Sequence, residues 1–316
     1  MSGLPRHPLG RTGLEVTPVC VGGGPLGSMP ENFGYDVSAE RGIATARRAL
    51  DGRINFLDTA AGYSDGESER RIGAALASAG GGLPAGFVLA TKVDRDLDTG
   101  DFSGDQVRRS AEGSLTRLGL DTIQLLYLHD PEHISFDEGM APGGPVEELL
   151  KLKDERVAQH IGVAGGPVAL MSRYLKTGAF EALITHNRWT LIDRSAGDLI
   201  DEAVELGIGV VNGAPFGGGI LAKGSATRTD YAYHSAHPEI LQRVRAMEAA
   251  CRDHDVPIAA AALQFSTRDP RITSTIVGIS RPERVDETLR LAEWTIPDAL
   301  WDVLGPLAAP PELWQW

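Results

Sequence analysis

The chain is built on one rhythm: eight short apolar runs, each followed by a stretch of helical character. The runs fall at 17–21, 54–57, 87–91, 123–128, 161–164, 182–185, 208–211 and 274–277. Short strands alternating with helices imply a parallel sheet. Eight such units favour closure into a single (β/α)8 barrel over an open, doubly wound sheet. Before the first unit, the Gly-flanked polar turn in 9–16 reads as a hairpin. Ser38 and Ser103 stand where helix N-caps are needed, and Gly207 where a helix must stop. Helices are expected at 66–79, 103–118, 146–155, 168–176, 196–206, within 239–267, at 281–291 and after Pro297. No linker or composition break interrupts the pattern, so residues 1–316 read as one domain.

The joins at 22–37, 93–102, 130–145 and 212–238 are the long ones, and all leave strand carboxyl ends. In an α/β barrel that rim carries the chemistry. The residues that end the runs fit this placement. Asp58 follows the second run, with Tyr63 on the turn beyond it. Lys92 follows the third run and His129 the fourth. Each alone has an ordinary structural explanation, as a cap, a packed ring, a solvated charge or a core histidine. Four such residues meeting at one rim form a candidate catalytic set.

Composition narrows the partners. Thirty Lys and Arg against 43 Asp and Glu give a net charge of −13. That opposes general nucleic-acid binding, which needs a basic footprint, though a local basic pocket can still take an anion. No apolar run approaches the ~18 residues that span a bilayer, and a cytoplasmic protein without membrane association is expected. Cys20 and Cys251 offer neither a disulfide framework nor zinc spacing, and Cys20 reads as core. Two other motifs compete. Gly22-Gly23-Gly24-Pro25-Leu26-Gly27 matches a dinucleotide-binding glycine loop, but Pro25 and Pro30 deny it the helix that must open at once. His129-Asp130-Pro131-Glu132-His133 resembles a metal cluster, but Pro131 disfavours the helix that i,i+4 ligation requires, so no metal is expected. Trp294, Trp301, Trp314 and Trp316 are expected to serve as packing residues.

Taken together, Leu9-Gly10-Arg11-Thr12-Gly13-Leu14-Glu15-Val16, Asp58-Thr59-Ala60 with Tyr63, Thr91-Lys92, Ser114-Leu115-Thr116-Arg117-Leu118-Gly119, His129 and the 277–289 segment resemble the aldo-keto reductases over nearly the whole chain. The resemblance implies a barrel that binds NAD or NADP across the rim and moves hydride to or from a carbonyl carbon. Tyr63 would be the proton donor or acceptor, and Lys92, paired with Asp58, would lower its pKa. Neutral His129 would donate to the substrate oxygen, so Tyr63 and His129 would both contact substrate. Cofactor contacts would come from Gly22, Asp58, His186, Pro215, Phe216, Gly217, Gly219, Leu221, Gly278, Ser280, Arg284 and Glu287, with Arg281 nearby. Backbone N–H groups of the glycine-rich 216–221 loop would cradle a pyrophosphate.

The runs 127–132, 187–193 and 216–222 look like the family's sugar-oxidising branch, the L-fucose, L-galactose and D-threo-aldose 1-dehydrogenases, with a pyridoxal 4-dehydrogenase close by. That implies oxidation of an aldose at C1 to its lactone. A pyridoxal 4-dehydrogenase or a general aldehyde or ketone reductase is the nearer alternative, and a cofactor-sensing regulatory subunit the more distant one. The chain also departs from the family. Ala164-Gly165 stands where Ser-Asn grips the carboxamide, His186 replaces Gln, and Gly213 and Ala214 replace an aromatic and a Ser. Gly278 stands where NADP-preferring members often carry Lys, which tilts the expectation slightly toward NAD.

Overall fold

The computed structural model describes residues 4–232 and 234–315, so Trp316 lies outside the described residues. Eight parallel strands close into a barrel in chain order: β1 (Val19–Gly22), β2 (Phe56–Asp58), β3 (Val88–Val93), β4 (Ile123–His129), β5 (Ala158–Gly165), β6 (Ala182–His186), β7 (Gly209–Gly213) and β8 (Ser274–Gly278). The ring shuts where Ile276 of β8 pairs with Cys20 of β1. An open sheet with a glycine-loop helix is thereby excluded. After β1 the chain makes a 3-10 turn at Gly24–Gly27 and a four-residue helix at Pro30–Phe33.

Every strand ends one or two residues beyond its apolar run. Asp58, Lys92, His129 and His186 belong to the ladder, as do Gly22, Gly165, Gly213 and Gly278. Hydrophobicity stops before hydrogen bonding does, because the last inward positions face the rim rather than the core. Helix starts follow their caps more closely. Ser38 accepts the Arg41 N–H and Ser103 the Gln106 N–H, opening Ala39–Leu50 and Gly104–Leu118.

Strand period 2 divides the side chains between two environments. Leu57, Leu89, Leu126 and Leu128 point outward into the layers beneath the helices. Phe56, Val88, Ala90, Leu125 and Tyr127 point inward and fill the barrel with Cys20 and Val211. Asp58, Lys92 and His129 follow the inward residues at the same parity. The pairings Asp58 with Ala90 and Lys92 with Tyr127 then place them on neighbouring strands at one depth.

The hairpin pairs His7–Pro8 with Glu15–Val16 and covers the opposite end. Leu9 and Val16 join the inward cluster. The Arg11 N–H donates to the Gly207 carbonyl at 3.1 Å and its guanidinium to the Phe180 carbonyl at 3.0 Å, both just ahead of β7 and β6. Trp301 and Trp314 pack against the cluster formed by the helices Pro238–Asp253 and Ile258–Thr267, whereas Trp294 is largely exposed. No described helix is long and apolar enough to cross a membrane.

One buried charge ties the outer layer to the barrel. Glu69, on the helix Glu67–Ser78, is 0% exposed. It accepts the Thr91 hydroxyl at 2.5 Å and the Arg117 Nε at 2.7 Å. Removing one partner of a buried pair strands the other, at a cost of roughly 3 kcal/mol. Arg117→Ala is therefore expected to lower the unfolding free energy by about 3 kcal/mol in urea titrations, and a loss under about 1 kcal/mol would show that the pair behaves as a surface pair.

Candidate active site

The inner ends of β2, β3 and β4 assemble the centre. Lys92 Nζ donates to Asp58 Oδ1 at 2.6 Å, to the Thr59 carbonyl at 2.8 Å and to Tyr63 Oη at 3.2 Å. The Asp58 and Lys92 side chains are 3% and 2% exposed. Tyr63 stands on the turn after β2, its ring edge-on to His129 at 5.6 Å between centroids. The structure thus brings together all four residues singled out at the strand ends. A fifth joins them. Asp94, one residue past β3, accepts His129 Nδ1 at 2.6 Å and the Gly62 N–H at 2.6 Å.

Burial dominates the electrostatics. Desolvation raises the Tyr63 pKa well above that of a free phenol, and the nearby Lys92 ammonium offsets this only in part. Lys92 acts on Tyr63 in the expected downward direction, but burial outweighs it and the net shift is upward. Desolvation pulls Lys92 down, but the Asp58 carboxylate beside it outweighs this and holds the ammonium charged. Asp58 itself is raised, because burial exceeds what Lys92 returns. At His129 desolvation disfavours charge, yet Asp94 and Asp130 prevail and the pKa is raised. His129 Nδ1 faces the Asp94 carboxylate, and which ring nitrogen carries the proton decides whether Nε2 donates or accepts.

A cleft of about 500 Å³ opens over this centre, within the range of small-molecule sites. The four long joins wall it with Phe33, Leu97, Asp130 and Phe216 among others. Tyr63, His129, Asp130 and His186 line it, as do Lys223, Arg228 and Arg284. His186 is pushed down to about 4, first by burial and then by the cations around it, so it is neutral. Lys223 is lowered by burial and by the charges of Arg228 and Arg284. The run after β4 forms a 3-10 turn at Pro131–His133 rather than a helical pair of histidines. Asp130, Glu132 and His186 instead bring one donor atom each within 4.8 Å of one another.

Left-handed residues sit directly after three barrel strands: Asp130 (φ 43°), Asn187 (φ 59°) and Ala214 (φ 53°). Such backbone costs of order 1 kcal/mol or more outside Gly and clusters at functional rims.

Of the residues expected to meet a cofactor, Gly22, Asp58, His186, Pro215, Phe216, Gly219, Gly278 and Arg284 line the cleft. Gly217, Leu221, Ser280 and Glu287 do not. Gly217 turns at φ 54°, where a Cβ would meet the Tyr231 ring at 2.4 Å. Leu221 is fully buried in the core. Ser280 follows the buried Ile279 as the chain turns into the helix Pro282–Ala292. Glu287 accepts Arg281 through both oxygens at 2.9 Å, which also removes Arg281 from the cleft wall. The N–H groups of Gly217, Gly219 and Leu221 donate to the Ala214 and Phe216 carbonyls, so at those three positions they cannot cradle an anion. Lys223 and Arg228 supply the positive charge in that loop, and nothing in the sequence pattern marks them. Asp94 did carry a signal: it lies two residues past Lys92, at the same pleat parity.

The aldo/keto reductase family profile matches residues 18–304. The chain belongs to the aldo/keto reductase family. It is an oxidoreductase of that family, 32% identical to the L-galactose dehydrogenase of Arabidopsis thaliana, over 92% of this chain and 88% of the relative. It is also 32% identical to the D-threo-aldose 1-dehydrogenase of a Pseudomonas species, over 85% of this chain and 88% of that one. The holo form of an aldo-keto reductase from Bacillus halodurans shares the fold, with a TM-score of 0.78 at 22% identity over 96% of both chains.

The buried Asp58–Lys92 pair makes a prediction with a pH signature. Lys92→Met leaves the Asp58 carboxylate without its counter-ion, at a cost of about 3 kcal/mol near pH 7. The folded pKa of Asp58 is already raised, and losing Lys92 raises it further. The folded carboxyl therefore binds its proton at higher pH than the unfolded one, and the deficit shrinks as pH falls. Urea titrations at pH 7 and pH 5 check this; a deficit that grows on acidification contradicts it.

Proposed function

We propose that this protein is a nicotinamide-dinucleotide-dependent dehydrogenase that oxidises an aldose at C1 to its lactone, with Tyr63 exchanging the substrate proton. The observation that carries the reading is the convergence of Lys92, Asp58, Tyr63 and His129 at one cleft, whose lining also includes the cations Lys223, Arg228 and Arg284. Two relatives at 32% identity act on aldoses by name, which supports a polyhydroxylated substrate.

The residues present fit a dinucleotide. Lys223, Arg228 and Arg284 match a diphosphate, and Gly213, Ala214 and Ala164 leave room for a flat ring beside the centre. When bound, the dinucleotide accepts or supplies the hydride. Cofactor choice rests on those cations. Glu287, 3.6 Å from Arg284, competes with a 2′-phosphate for that guanidinium, which supports NAD.

The chain's own groups handle the oxygen. Tyr63 Oη and His129 both face the cleft and can hold the substrate oxygen between them. As a phenol, Tyr63 donates its proton to the oxygen when a carbonyl is reduced. In oxidation the phenolate, stabilised by Lys92, takes the hydroxyl proton as the C1 hydrogen leaves with its electron pair. Asp130 and His186 also line the cleft and suit further hydroxyls.

Initial rates of NADH and NADPH formation over L-fucose, L-galactose, D-arabinose, D-glucose and pyridoxal test the reading. Turnover confined to sugars of one stereochemistry is expected. Turnover on pyridoxal alone moves the protein to that substrate, and tight dinucleotide binding without turnover of sugars or carbonyls favours a sensor. Tyr63→Phe is expected to reduce turnover by about 10²–10⁴-fold while dinucleotide affinity, read by fluorescence titration, stays within a few-fold. Because burial raises the Tyr63 pKa, the phenolate becomes more populated as pH rises, so oxidative turnover should still be climbing near pH 10. A plateau at neutral pH would assign the proton to another group.

A further inference from the structure

Asp94 has no counterpart among the groups assigned so far, yet it touches both sides of the centre. It is 8% exposed. Oδ1 lies 2.6 Å from His129 Nδ1, and Oδ2 accepts the Gly62 N–H at 2.6 Å, one residue ahead of Tyr63. Its own N–H donates to Ser110 Oγ at 3.1 Å, and its carbonyl accepts the Gln106 amide at 3.2 Å, so the carboxylate is held from behind. The fit is close: a Cβ on Gly62 would land 2.9 Å from this carboxylate. An ionised carboxylate has acceptors only, so both of its short contacts must be to donors.

We propose that Asp94 is the positioning residue that fixes the tautomer of His129, holding one ring proton at Nδ1 so that Nε2 alone exchanges a proton with the cleft. The neutral ring then accepts a hydrogen bond at Nε2 from a substrate hydroxyl. The protonated ring donates from Nε2 to a carbonyl oxygen. The protonated ring can thus hold the reacting oxygen and the neutral ring a neighbouring substrate hydroxyl, while the one proton transferred in the reaction passes through Tyr63; that last step rests on the oxidoreductase reading above, whereas the tautomer does not.

The charges around the ring favour the protonated form without replacing Asp94. Facing it are Asp94 from beyond β3, Asp130 beside it, Lys92 on β3, Asp58 on β2, Tyr63 on the turn after β2 and His186 on β6. Asp130 approaches Nε2 only to 3.9 Å, beyond hydrogen-bond reach. Lys92 opposes protonation, and among the described residues Asp94 is the one that hydrogen-bonds the ring.

Asp94→Asn separates positioning from packing. An amide has one acceptor oxygen and one donor nitrogen. If the oxygen keeps the Gly62 N–H, the nitrogen faces His129 Nδ1 and drives the ring proton to Nε2. The experiment is a ¹⁵N-histidine NMR titration of the full chain, with His129 assigned by its loss in His129→Gln. In the wild type the neutral ring is expected to carry its proton on Nδ1. In Asp94→Asn it should carry it on Nε2, with the titration midpoint lowered by at least about one pH unit, a tenfold change in proton affinity. A wild-type neutral ring protonated at Nε2 overturns the proposal, as does an Asp94→Asn spectrum with unchanged tautomer and midpoint. If the variant fails to fold, the wild-type spectrum still decides.

A kinetic arm uses reduction of 4-nitrobenzaldehyde with NADH and NADPH. The rate should fall as pH rises through the His129 midpoint, and Asp94→Asn should move that fall to lower pH. A rate lowered equally at every pH would mark Asp94 as merely structural and overturn the proposal. No wild-type turnover would count against the oxidoreductase chemistry assigned to the cleft and would leave the NMR result standing on its own.

Discussion

Everything at the rim depends on one ion pair shut away from water. Asp58 and Lys92 are too costly to bury singly, and each makes the other tolerable. The pair also fixes alignment. β2 and β3 are held so that Phe56 faces Val88 and Asp58 faces Ala90, with Lys92 one further inward position along. A slip of one residue between these strands would turn Asp58 outward under the helices, where no cation waits. Hydrophobic alternation sets the register from the inside of the barrel, and the ion pair confirms it at the top. Fold and chemistry therefore share one geometric condition, and neither can drift without the other.

Much of this was legible in the chain. Eight apolar runs separated by helical stretches were enough for a closed parallel barrel, and Asp58, Lys92 and His129 stood out as charged or titratable residues ending apolar strands. What the sequence obscured has physical causes. Strand ends run one or two residues past the apolar runs because most rim positions are polar or glycine, so hydrophobicity fades before the ladder does. The ionisation of Tyr63 could not be read from its neighbours, since desolvation opposes Lys92 and its size is set by the folded surroundings. Lys223 and Arg228 lie in a long loop without periodicity, and only the fold brings them toward Arg284. Leu221 belonged to a glycine-rich stretch that resembles a cradle, yet its side chain serves the core.

The charge distribution adds a further constraint. The protein is acidic as a whole, with a net charge of −13, while its cleft is lined by Lys223, Arg228 and Arg284. The long-range field repels an anionic ligand and the short-range field attracts it. Salt shortens the range of the first more than it weakens contacts already made at the second. Specific binding is thus separated from non-specific attraction by distance alone.

The hairpin at the base has a consequence for traffic. With Leu9 and Val16 packed into the interior and Arg11 fastened to the carbonyls ahead of β6 and β7, the barrel has a floor. Molecules can enter and leave only past the rim. Where two ligands must meet over the same buried centre, the one seated deeper has to arrive first and depart last. Compulsory order in such a reaction is then a property of the architecture, settled by a hairpin at the end of the molecule where no chemistry takes place.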